Sequence, residues 1–550
     1  METPRDILLW LKTIAGKSNL RERLEYENTS LWWFSELGLT NLVTNLINNK
    51  EYRAPSNILI TAAKRLPGYY YLYLLLRSLP RYIWGKLTKT KTSKQTGGRG
   101  KVLAISYAAY WKRVPVTRGK DNGLDQDTML GGITTALRRN GFKVAGLDQD
   151  TSLLFDLRTA IEKRRLWRPV ETYLTPGTVK NAFEANKKYH QEWDNLKNSQ
   201  DFISSLSYKG APLWGLLKGA FRGIFKYKAF EAALFIELMR RAIEIEEPDL
   251  ILITYEYGLL GMAAVIAGKL EKVPTLAIQH GNISPGHIGY LHTREEISCE
   301  TAPQYYSLPD KMAVYGPWVK KVLVEDGNYP EDNVVVTGQA RYDFLARADR
   351  TFSREAFCKR LKLSEGRKIA LVCTQPFTIF EERTAFLESV LRALKGFPEV
   401  QIVIKPHPLE KRRWSEGVAG GQGVQAVILP PRSNTYQALY ACDIMLASFS
   451  TTITEAIILD KPVVVVNLSG KPDFIPYAES GAALGVYRDQ DIAPAIRKAL
   501  YDRAVRQSLK RARAKFALEH CHKVDGKAGE RVVRLIEQMI ADSKRARNET

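Results

Sequence analysis

Histidine and glycine residues follow an apolar strand pattern in PTLAIQHGNISPGHIGY, residues 274–290. The first five residues predict a buried strand, and Gln279, His280 and Gly281 come directly after it. Ligands of open α/β sheets bind beyond the carboxyl ends of the strands. Because imidazole titrates near neutral pH, His280 can act as a general base towards a hydroxyl group. The segment therefore predicts one wall of a catalytic cleft, lined also by Gln279, Gly281 and His287.

Carboxylates elsewhere in the sequence compete with His280 for the role of base. Glu256 follows the predicted strand DLILIT, residues 249–254. Asp125 and Asp127 lie in the polar loop GLDQDTMLGG, which is expected to border the same cleft. Asp127 is also a candidate cap for the helix that follows it. His280 is the favoured base, and these carboxylates are the alternatives to it.

A metal site is not predicted. His280, His287 and His292 are seven and five residues apart, a spacing that matches no helical ligand pair. The five cysteines are scattered, without a CxxC pair. This pattern argues against a disulfide framework and indicates a reducing, cytosolic compartment. The N-terminal sequence METPRDILLWLKTIAGK has no long apolar core, so no signal peptide is predicted.

A second cluster of polar side chains separates a predicted strand from a predicted helix in DIMLASFSTTITEAIIL, residues 443–459. Hydroxyl groups and free backbone N–H groups at a helix N-terminus form an anion site. The hydroxyl residues are Ser448, Ser450, Thr451 and Thr452. Glu455 lies three residues beyond Thr452, so it either completes a capping box with Thr452 or binds ribose hydroxyl groups. In the second interpretation the turn holds a diphosphate.

A cation and an imidazole follow another predicted strand in VQIVIKPHP. Lys405 ends the strand, and the prolines at 406 and 408 hold His407 in a rigid, extended turn. These two side chains suit a phosphate group or a nucleotide base. We therefore expect Lys405 and His407 to lie near the Ser/Thr turn of residues 448–452.

Short apolar segments alternate with helical patterns along most of the chain. In the first block the predicted strands are 102–106, 142–147, 249–254, 274–278, 312–316 and 333–338. In the second block they are 368–373, 400–405, 424–429, 443–448 and 462–467. Runs of Val, Ile and Leu separated by helices predict a parallel sheet covered on both faces. The polar segment 346–367 separates the blocks, so the sequence predicts an α/β fold with two Rossmann-like domains facing a cleft.

Six motifs resemble those of the GT-B superfamily. They are QHG (279–281), TGQARYD (337–343), TQP (374–376), KPHP (405–408), SxSTTxxEA (448–456) and DGKAGERV (525–532). This superfamily includes nucleotide-sugar glycosyltransferases, non-hydrolysing UDP-N-acetylglucosamine 2-epimerases and glycerophosphotransferases of wall and capsule polymers. The resemblance implies a nucleotide-sugar donor on the second domain, with Gln375 among its ligands, and an acceptor on the first domain. It implies no metal and no cofactor, and a C-terminal helix that packs back on the first domain.

The predicted domain boundaries follow from these blocks and motifs. Residues 1–100 are expected to form a helical, basic and aromatic extension that ends in a linker. Residues 101–345 are expected to form the acceptor domain, with a helical insertion at about 151–247. Residues 346–515 then form the donor domain, and residues 516–550 form the returning helix.

The epimerases of this superfamily differ from the chain at the turn after strand 274–278. Their matching turn reads H-V-E-A-G, with a carboxylate taken to act in catalysis, whereas Gln279 stands at that place here. Glutamine cannot exchange a proton near neutral pH, so the sequence favours glycosyl transfer, with His280 as base or as the group that stabilises the leaving diphosphate. The alternatives are an epimerase or glycerophosphotransferase of the same fold, and a protein that binds nucleotide sugars or anionic polymers without turnover.

Positive charge and aromatic residues coincide in two segments. The net charge is +22, and residues 51–101 contain eleven Lys or Arg and one acid. In residues 213–228, an apolar helical face is flanked by Lys218, Arg222 and Lys226. Such segments predict contact with an anionic membrane surface or, alternatively, a core helix with a solvated basic edge.

The remaining sequence features narrow the partners and the location. No nucleic-acid-binding motif is present in the basic segments, so nucleic acid is not an expected partner. The apolar run YYYLYLLL is too short to span a bilayer. We therefore predict a cytoplasmic enzyme, peripheral on the inner face of the membrane, that acts on a lipid-linked or surface-polysaccharide acceptor.

Overall fold

The fold contains two parallel β-sheets, each covered by helices on both faces. The computed structural model describes residues 2–48, 67–87, 98–115, 123–150, 157, 161, 167–298, 305–375, 380–431, 433–473 and 475–549. Within these residues the α/β fold class with two Rossmann-like domains is confirmed. Much of the predicted basic segment, residues 51–66 and 88–97, lies outside the described part of the chain.

The first domain is built on a sheet of seven parallel strands. In spatial order these are Val334–Val336, Lys311–Val314, Thr275–Ile278, Leu250–Thr254, Lys101–Tyr107, Lys143–Gln149 and Trp167–Pro169. Numbered along the chain and read from the opposite edge, starting at Trp167–Pro169, the order is 3-2-1-4-5-6-7, which contains the Rossmann order. The strand order reverses between Lys101–Tyr107 and Leu250–Thr254, which pair in parallel. The crevice beyond the carboxyl ends of these two strands is where ligands of such sheets bind.

The second domain repeats this arrangement with six parallel strands. In spatial order these are Ala426–Ile428, Val400–Lys405, Lys368–Cys373, Ile444–Ala447, Val463–Val466 and Leu484–Val486. The order along the chain is 3-2-1-4-5-6, and it reverses between Lys368–Cys373 and Ile444–Ala447. Gln375 and Ser448 therefore follow the two strands that flank the crevice, which is the expected ligand position of this fold.

Helices cover both sheets. Those of the first domain are Gly131–Arg139, Pro176–Leu196, Gln200–Ser205, Trp214–Gly223, Ala229–Glu246, Leu259–Leu270, Arg294–Ser298 and Pro317–Glu325. Those of the second are Arg354–Leu361, Phe380–Leu394, Arg412–Gly421, Thr435–Ala441, Thr452–Ile458, Ile492–Tyr501 and Arg503–Cys521. No helix in the described ranges combines the length and the apolarity needed to cross a membrane.

The sequence analysis missed two of the four three-residue edge strands, Trp167–Pro169 and Leu484–Val486. They are too short to show a hydrophobic period, and each contains a residue that weakens strands, Pro169 or Gly485. The region expected to be a polar loop instead contains the antiparallel strands Trp111–Pro115 and Gly123–Asp127. These departures lie at the margins of the sheet and leave its central strands as predicted.

Residues 2–48 belong to the core of the first domain rather than to a separate extension. Their helices are Pro4–Lys17, Leu20–Arg23 and Trp33–Ile47. Side chains such as Leu11 and Trp32 are fully buried in the same apolar cluster as the first sheet. At the centre of the contact, the Lys12 ammonium lies 3.0 Å from a Glu36 carboxylate oxygen and 2.6 Å from Glu296. Because Glu296 is far along the chain, this ionic cluster ties the N-terminal helices to the domain.

Residues 213–228 require a correction. The segment is helical, as Trp214–Gly223 followed by a π-helical turn Ile224–Lys228. Its apolar residues Leu217, Phe221 and Phe225 have no exposed surface. The Phe221 ring stacks on Trp32 with a centroid distance of 6.1 Å. The apolar face predicted to meet a membrane is therefore used by the protein core, and the core-helix alternative is the one observed.

The C-terminal helix, Ala528–Glu549, crosses back onto the first domain as the fold prediction stated. Its apolar face packs in one cluster with residues of helix Gly131–Arg139, including Ile133. The Asp343 carboxylate accepts hydrogen bonds from the first N–H groups of the helix, at Ala528 and Gly529. The Asp343 carboxylate lies at the positive end of the helix dipole and fixes where the returning helix begins.

Candidate functional site

The turn that follows strand Thr275–Ile278 faces the second domain. Gln279 and Asn282 line a small cavity of about 20 Å³ together with Thr454 and Ile475 of the second domain. Gln279 is fully engaged in the turn: its amide donates to the Gly281 carbonyl at 2.8 Å and its Oε1 accepts from the backbone N–H of Tyr315 at 2.8 Å. Gln279 thus shapes this wall of the cleft, and Gly281 serves as its backbone acceptor.

Glu256 and His280 lie side by side at the crevice of the first sheet. The Glu256 side chain is 3% exposed, and among the described residues its carboxylate has no close hydrogen bond, only a weak one from the Tyr290 hydroxyl. His280 Nδ1, which has no hydrogen-bond partner there, lies 3.8 Å from Glu256 Oε2. A buried carboxylate with so little hydrogen bonding is costly to the fold, and it lies beside an imidazole.

Tyrosine side chains surround the Glu256–His280 pair. Tyr257 Oη is 3.3 Å from His280 Nε2, and the Tyr255 ring centroid is 4.9 Å from the imidazole. Burial and the nearby Glu256 carboxylate raise the pKa of Tyr257 and Tyr290, so their hydroxyl groups keep their protons. Tyr257 can therefore donate to His280 Nε2, which leaves the Nδ1 proton directed to Glu256. This tautomer presents the lone pair of Nε2 to whatever displaces Tyr257.

Asp127 and His287 have internal partners. Asp127 Oδ1 accepts from the backbone N–H groups of Met129 and Leu130, both at 2.7 Å, and its other oxygen accepts from the hydroxyl of Ser106. Asp127 thus stabilises the turn before helix Gly131–Arg139, whose N-cap is Leu130 without a side-chain capping bond, so the capping alternative is wrong and the occupied oxygens disfavour the role of base. His287 Nδ1 accepts from the N–H of Gly289 at 3.2 Å, and burial lowers the pKa of its imidazole. His287 supports the turn next to His280.

His292 is a buried neutral histidine, which gives a testable pH dependence. Its ring nitrogens lie 2.6 Å from Tyr306 Oη and 3.2 Å from Tyr329 Oη, and burial lowers its pKa to about 3, with Lys12 lowering it further and Glu296 opposing. The unfolded chain therefore binds a proton below about pH 6.5 that the folded protein does not. The free energy of unfolding should therefore fall by about 1.4 kcal/mol for each pH unit as the pH decreases from about 6.5 towards 3.

The His292→Gln variant is expected to flatten this acid-side loss of stability, because glutamine has no proton to gain. Urea unfolding at several values between about pH 4.5 and 7.5 measures the slope for both proteins. An unchanged slope in the variant would assign the acid sensitivity to other groups.

On the second domain, the predicted hydroxyl turn begins the helix Thr452–Ile458. Ser448 is buried, Ser450 is partly buried, and Thr451 is exposed at the helix N-cap. The Ser450 and Thr452 hydroxyl oxygens lie 2.5 Å apart. Ser448 also lines a cavity of about 180 Å³, whose other polar lining includes Asn467, Lys471 and the acidic residues Glu382 and Asp473. The helix has only seven residues and the cavity lining carries two acids against one lysine, so the hydroxyl groups are the feature suited to an anion.

Glu455 does not form the capping box that its spacing allowed. The helix has Thr451 as N-cap and no side-chain capping bond. The Glu455 carboxylate instead accepts from Tyr436 Oη at 3.1 Å and lies 3.6 Å from Arg341 Nη2. Arg341 belongs to the TGQARYD motif, yet sequence reasoning did not single it out as a site residue. Arg341, from the segment between the domains, thus places a cation beside Glu455 of the second domain.

The KPHP turn is held by internal hydrogen bonds. Lys405 Nζ donates to the backbone carbonyls of Pro406 and Pro431, at 2.9 and 2.6 Å. The N–H of His407 donates to Glu410 Oε2 at 2.9 Å, and His407 Nδ1 accepts from the N–H of Leu409 at 3.2 Å. Glu410 was missed by sequence reasoning, although it lies only two residues beyond the motif. These bonds fix the position of the His407 imidazole and show that Lys405 rigidifies the turn.

Gln375 is a buried polar side chain of the second domain whose amide group makes no hydrogen bond within the described ranges. It is 3% exposed, and neither its amide nitrogen nor its amide oxygen has a partner in the described ranges. It follows strand Lys368–Cys373, at the crevice of the second sheet. An amide presents both a donor and an acceptor, as the edge of a nucleotide base requires. Among described residues, no group of three or more His, Cys, Asp or Glu is arranged to hold a metal.

The second domain matches a known sequence family. Residues 310–537 match the UDP-N-acetylglucosamine 2-epimerase family, which confirms the resemblance to the GT-B superfamily that the motifs indicated. The match covers less than half of the chain, mainly the second domain and the last strands of the first sheet. No curated protein matches the sequence of this chain.

Solved structures match the chain at low sequence identity. UDP-GlcNAc 2-epimerase from Neisseria meningitidis, bound to UDP-GlcNAc, has 15% identity and a TM-score of 0.48, over 80% of this chain and 100% of that one. MnaA of S. aureus with UDP has 15% identity and a TM-score of 0.46, over 80% and 97%. A glycosyltransferase from Rickettsia africae has 12% identity and a TM-score of 0.46, over 80% and 98%. The fold assignment itself rests on the strand order of the two sheets.

Proposed function

We propose that this protein is a GT-B glycosyltransferase that moves a sugar from a nucleotide-sugar donor to a hydroxyl group of a lipid-linked or surface-polysaccharide acceptor. The observation that carries the proposal is the buried Glu256 carboxylate beside His280, with only a weak hydrogen bond from Tyr290 among the described residues. Such a pair suits the removal of a proton from an acceptor hydroxyl. The match of residues 310–537 to a nucleotide-sugar family supports a donor on the second domain.

The transfer requires a proton to leave the acceptor while the sugar leaves the diphosphate. The acceptor hydroxyl displaces Tyr257 from His280 Nε2, which then takes the hydroxyl proton as the new glycosidic bond forms. The Nδ1 proton of the resulting imidazolium faces Glu256, which stabilises the positive charge. The bond between the sugar and the diphosphate breaks, and the Ser/Thr turn of residues 448–452 receives the negative charge.

Epimerisation is the second candidate, because the family that matches residues 310–537 carries that activity in its name. Against it, Gln279 replaces the carboxylate of the epimerase turn, and its amide is committed to Gly281 and Tyr315. Incubating the purified protein with UDP-N-acetylglucosamine alone separates the two, since an epimerase needs no acceptor. Turnover of CDP-glycerol would instead indicate a glycerophosphotransferase. Tight nucleotide binding without turnover on any donor and acceptor would indicate a binding protein.

The Gln375→Met variant tests the donor site. It is expected to weaken nucleotide binding about tenfold or more, because one base edge loses its hydrogen bonds. The same substitution should leave the ligand-free protein as stable as the wild type or more stable, since it removes buried polar atoms that have no partner. Both quantities follow from the melting temperature with and without UDP and other nucleotides.

The matched control is Gln401→Met on the neighbouring strand. The Gln401 amide exchanges two hydrogen bonds of 2.8 Å with the backbone of Ser364, so this variant should lose stability and keep its nucleotide affinity. Ser450→Ala probes the hydroxyl turn in the same assay. Unchanged nucleotide affinity in both Gln375→Met and Ser450→Ala would exclude the proposed donor site.

A further inference from the structure

The helix Pro67–Leu87 presents a row of large apolar side chains to solvent. We call this row the leucine stripe: Leu72 (47% exposed), Leu76 (61%), Leu79 (46%), Ile83 (48%) and Leu87 (74%). The spacing of three and four residues places all five on one face of the helix. Single exposed leucines need no explanation, but a contiguous apolar row marks an interaction surface.

The opposite face of this helix is buried and carries arginine. Arg77 and Arg81 are 8% and 1% exposed. Arg77 donates to the Asp150 carbonyl at 3.1 Å, and Arg81 lies 3.2 Å from the Asp150 carboxylate. Tyr70 on the same side is 3.2 Å from Glu231. These contacts fix the rotation of the helix, so the stripe cannot turn inwards without breaking buried ionic bonds.

The sequence around the stripe carries charge of one sign. From residue 52 to residue 101 it contains no Asp or Glu, the helix ends with the exposed Lys86, and Lys89, Lys91 and Lys94 follow it in the sequence. Tyr73, Tyr82 and Trp84 lie half-buried on the same helix. Exposed leucines, flanking aromatic rings and nearby cations are what an anionic lipid surface binds.

We propose that the leucine stripe is a docking surface for an anionic lipid bilayer, with the leucines at the acyl boundary and Lys86 at the level of the phosphate headgroups. A second copy of the chain suits this face less well, because it would bring two equally basic sequences together. The proposal assigns membrane contact to the helix Pro67–Leu87, since the apolar face of residues 213–228 is buried. It does not depend on the reaction that the cleft performs.

Co-sedimentation with vesicles of phosphatidylcholine and phosphatidylglycerol tests the stripe directly. The triple variant Leu76→Ser, Leu79→Ser, Ile83→Ser is expected to lower the partition coefficient at least about tenfold. Because these side chains are exposed, its melting temperature should stay close to that of the wild type. The matched control is Leu216→Ser, which removes an equally exposed leucine (61%) from the other basic helix and should bind as the wild type does.

A second variant separates the headgroup contribution. Replacing Lys89, Lys91 and Lys94 with Gln should weaken binding about fivefold per lysine. Added salt should reduce wild-type binding, and vesicles of phosphatidylcholine alone should retain less protein.

Three outcomes would overturn the proposal. One is equal binding of the stripe variant and the wild type to anionic vesicles. Another is the absence of wild-type binding to anionic vesicles. The third is a wild-type dimer that dissociates in the stripe variant, which would make this face an interface between copies. None of these results bears on nucleotide binding or turnover, so the proposed function is judged separately.

Discussion

The Glu256→Gln variant is expected to lower kcat by a factor of about 10² to 10⁴, the usual contribution of a general base and the group that supports it. The physical reason is the Glu256–His280 contact of 3.8 Å, which stabilises imidazolium once the proton has moved. The same substitution should raise the free energy of unfolding by up to about 1–3 kcal/mol, because it removes a buried carboxylate to which only Tyr290 donates weakly. Loss of activity together with gain of stability identifies a residue kept for function.

The matched control is Glu246→Gln, another buried glutamate of the first domain. The Glu246 carboxylate lies 2.8 Å from Lys101 Nζ and accepts from Tyr173 Oη at 2.6 Å, so its loss should destabilise the fold and spare turnover. The readouts are nucleoside diphosphate release and urea unfolding. His280→Asn should reduce kcat as much as Glu256→Gln does. The double variant should have a kcat only slightly lower than either single variant, since the pair acts as a unit. Full turnover in Glu256→Gln would remove the pair from the mechanism.

The Lys12→Met variant is expected to destabilise the first domain by about 3–5 kcal/mol, the usual cost of breaking a buried ion pair. Although burial opposes the charge, Glu36 and Glu296 together raise the pKa of Lys12, which keeps the ammonium charged. Without it, Glu36 loses the ammonium at 3.0 Å, while Glu296 keeps Arg21, at 3.0 Å, and the backbone N–H of Thr293. Urea unfolding followed by tryptophan fluorescence measures the change, because Trp32 and Trp33 lie in the affected helices.

The matched control for Lys12 is Arg5→Met, on the first helix of the chain. Arg5 is half-exposed and lies 3.9 Å from Asp326, so its loss should cost less than about 1 kcal/mol. Equal unfolding midpoints for Lys12→Met and the wild type would mean that the N-terminal helices are not integral to the domain.

Hydrophobic pattern alone located the central strands of both sheets. The segments 368–373 and 400–405 were predicted with the bounds observed, and 249–254 and 274–278 differ by one residue at the start. A buried parallel strand is a continuous apolar run, so the residues of the strand alone are enough to predict it. Glu256, His280, Gln375 and the Ser/Thr turn follow the carboxyl ends of these strands. Because both crevices of the fold lie beyond those ends, the strand predictions also located these residues.

The orientation of amphipathic helices could not be predicted in the same way. Residues 213–228 and 67–87 both combine apolar and basic faces, and the sequence treated them alike. In the first, Phe221 and Phe225 face the core, whereas in the second the leucines face solvent and Arg81 is buried. Periodicity shows that a helix has two faces, but contacts from distant segments decide which one is covered. For residues 67–87 the distant partner is Asp150, and for residues 213–228 it is Trp32.

By itself, the sequence determined the two-domain α/β architecture, the chemistry at the strand ends and the excess of positive charge. Only the tertiary structure decided which polar groups are already satisfied. Asp127 and Gln279 proved to be engaged within the protein, whereas Glu256 has only a weak hydrogen bond from Tyr290 and Gln375 has no partner in the described ranges. Residue type and spacing state what a group can bind, but whether that capacity is already used depends on donors and acceptors contributed by other parts of the chain.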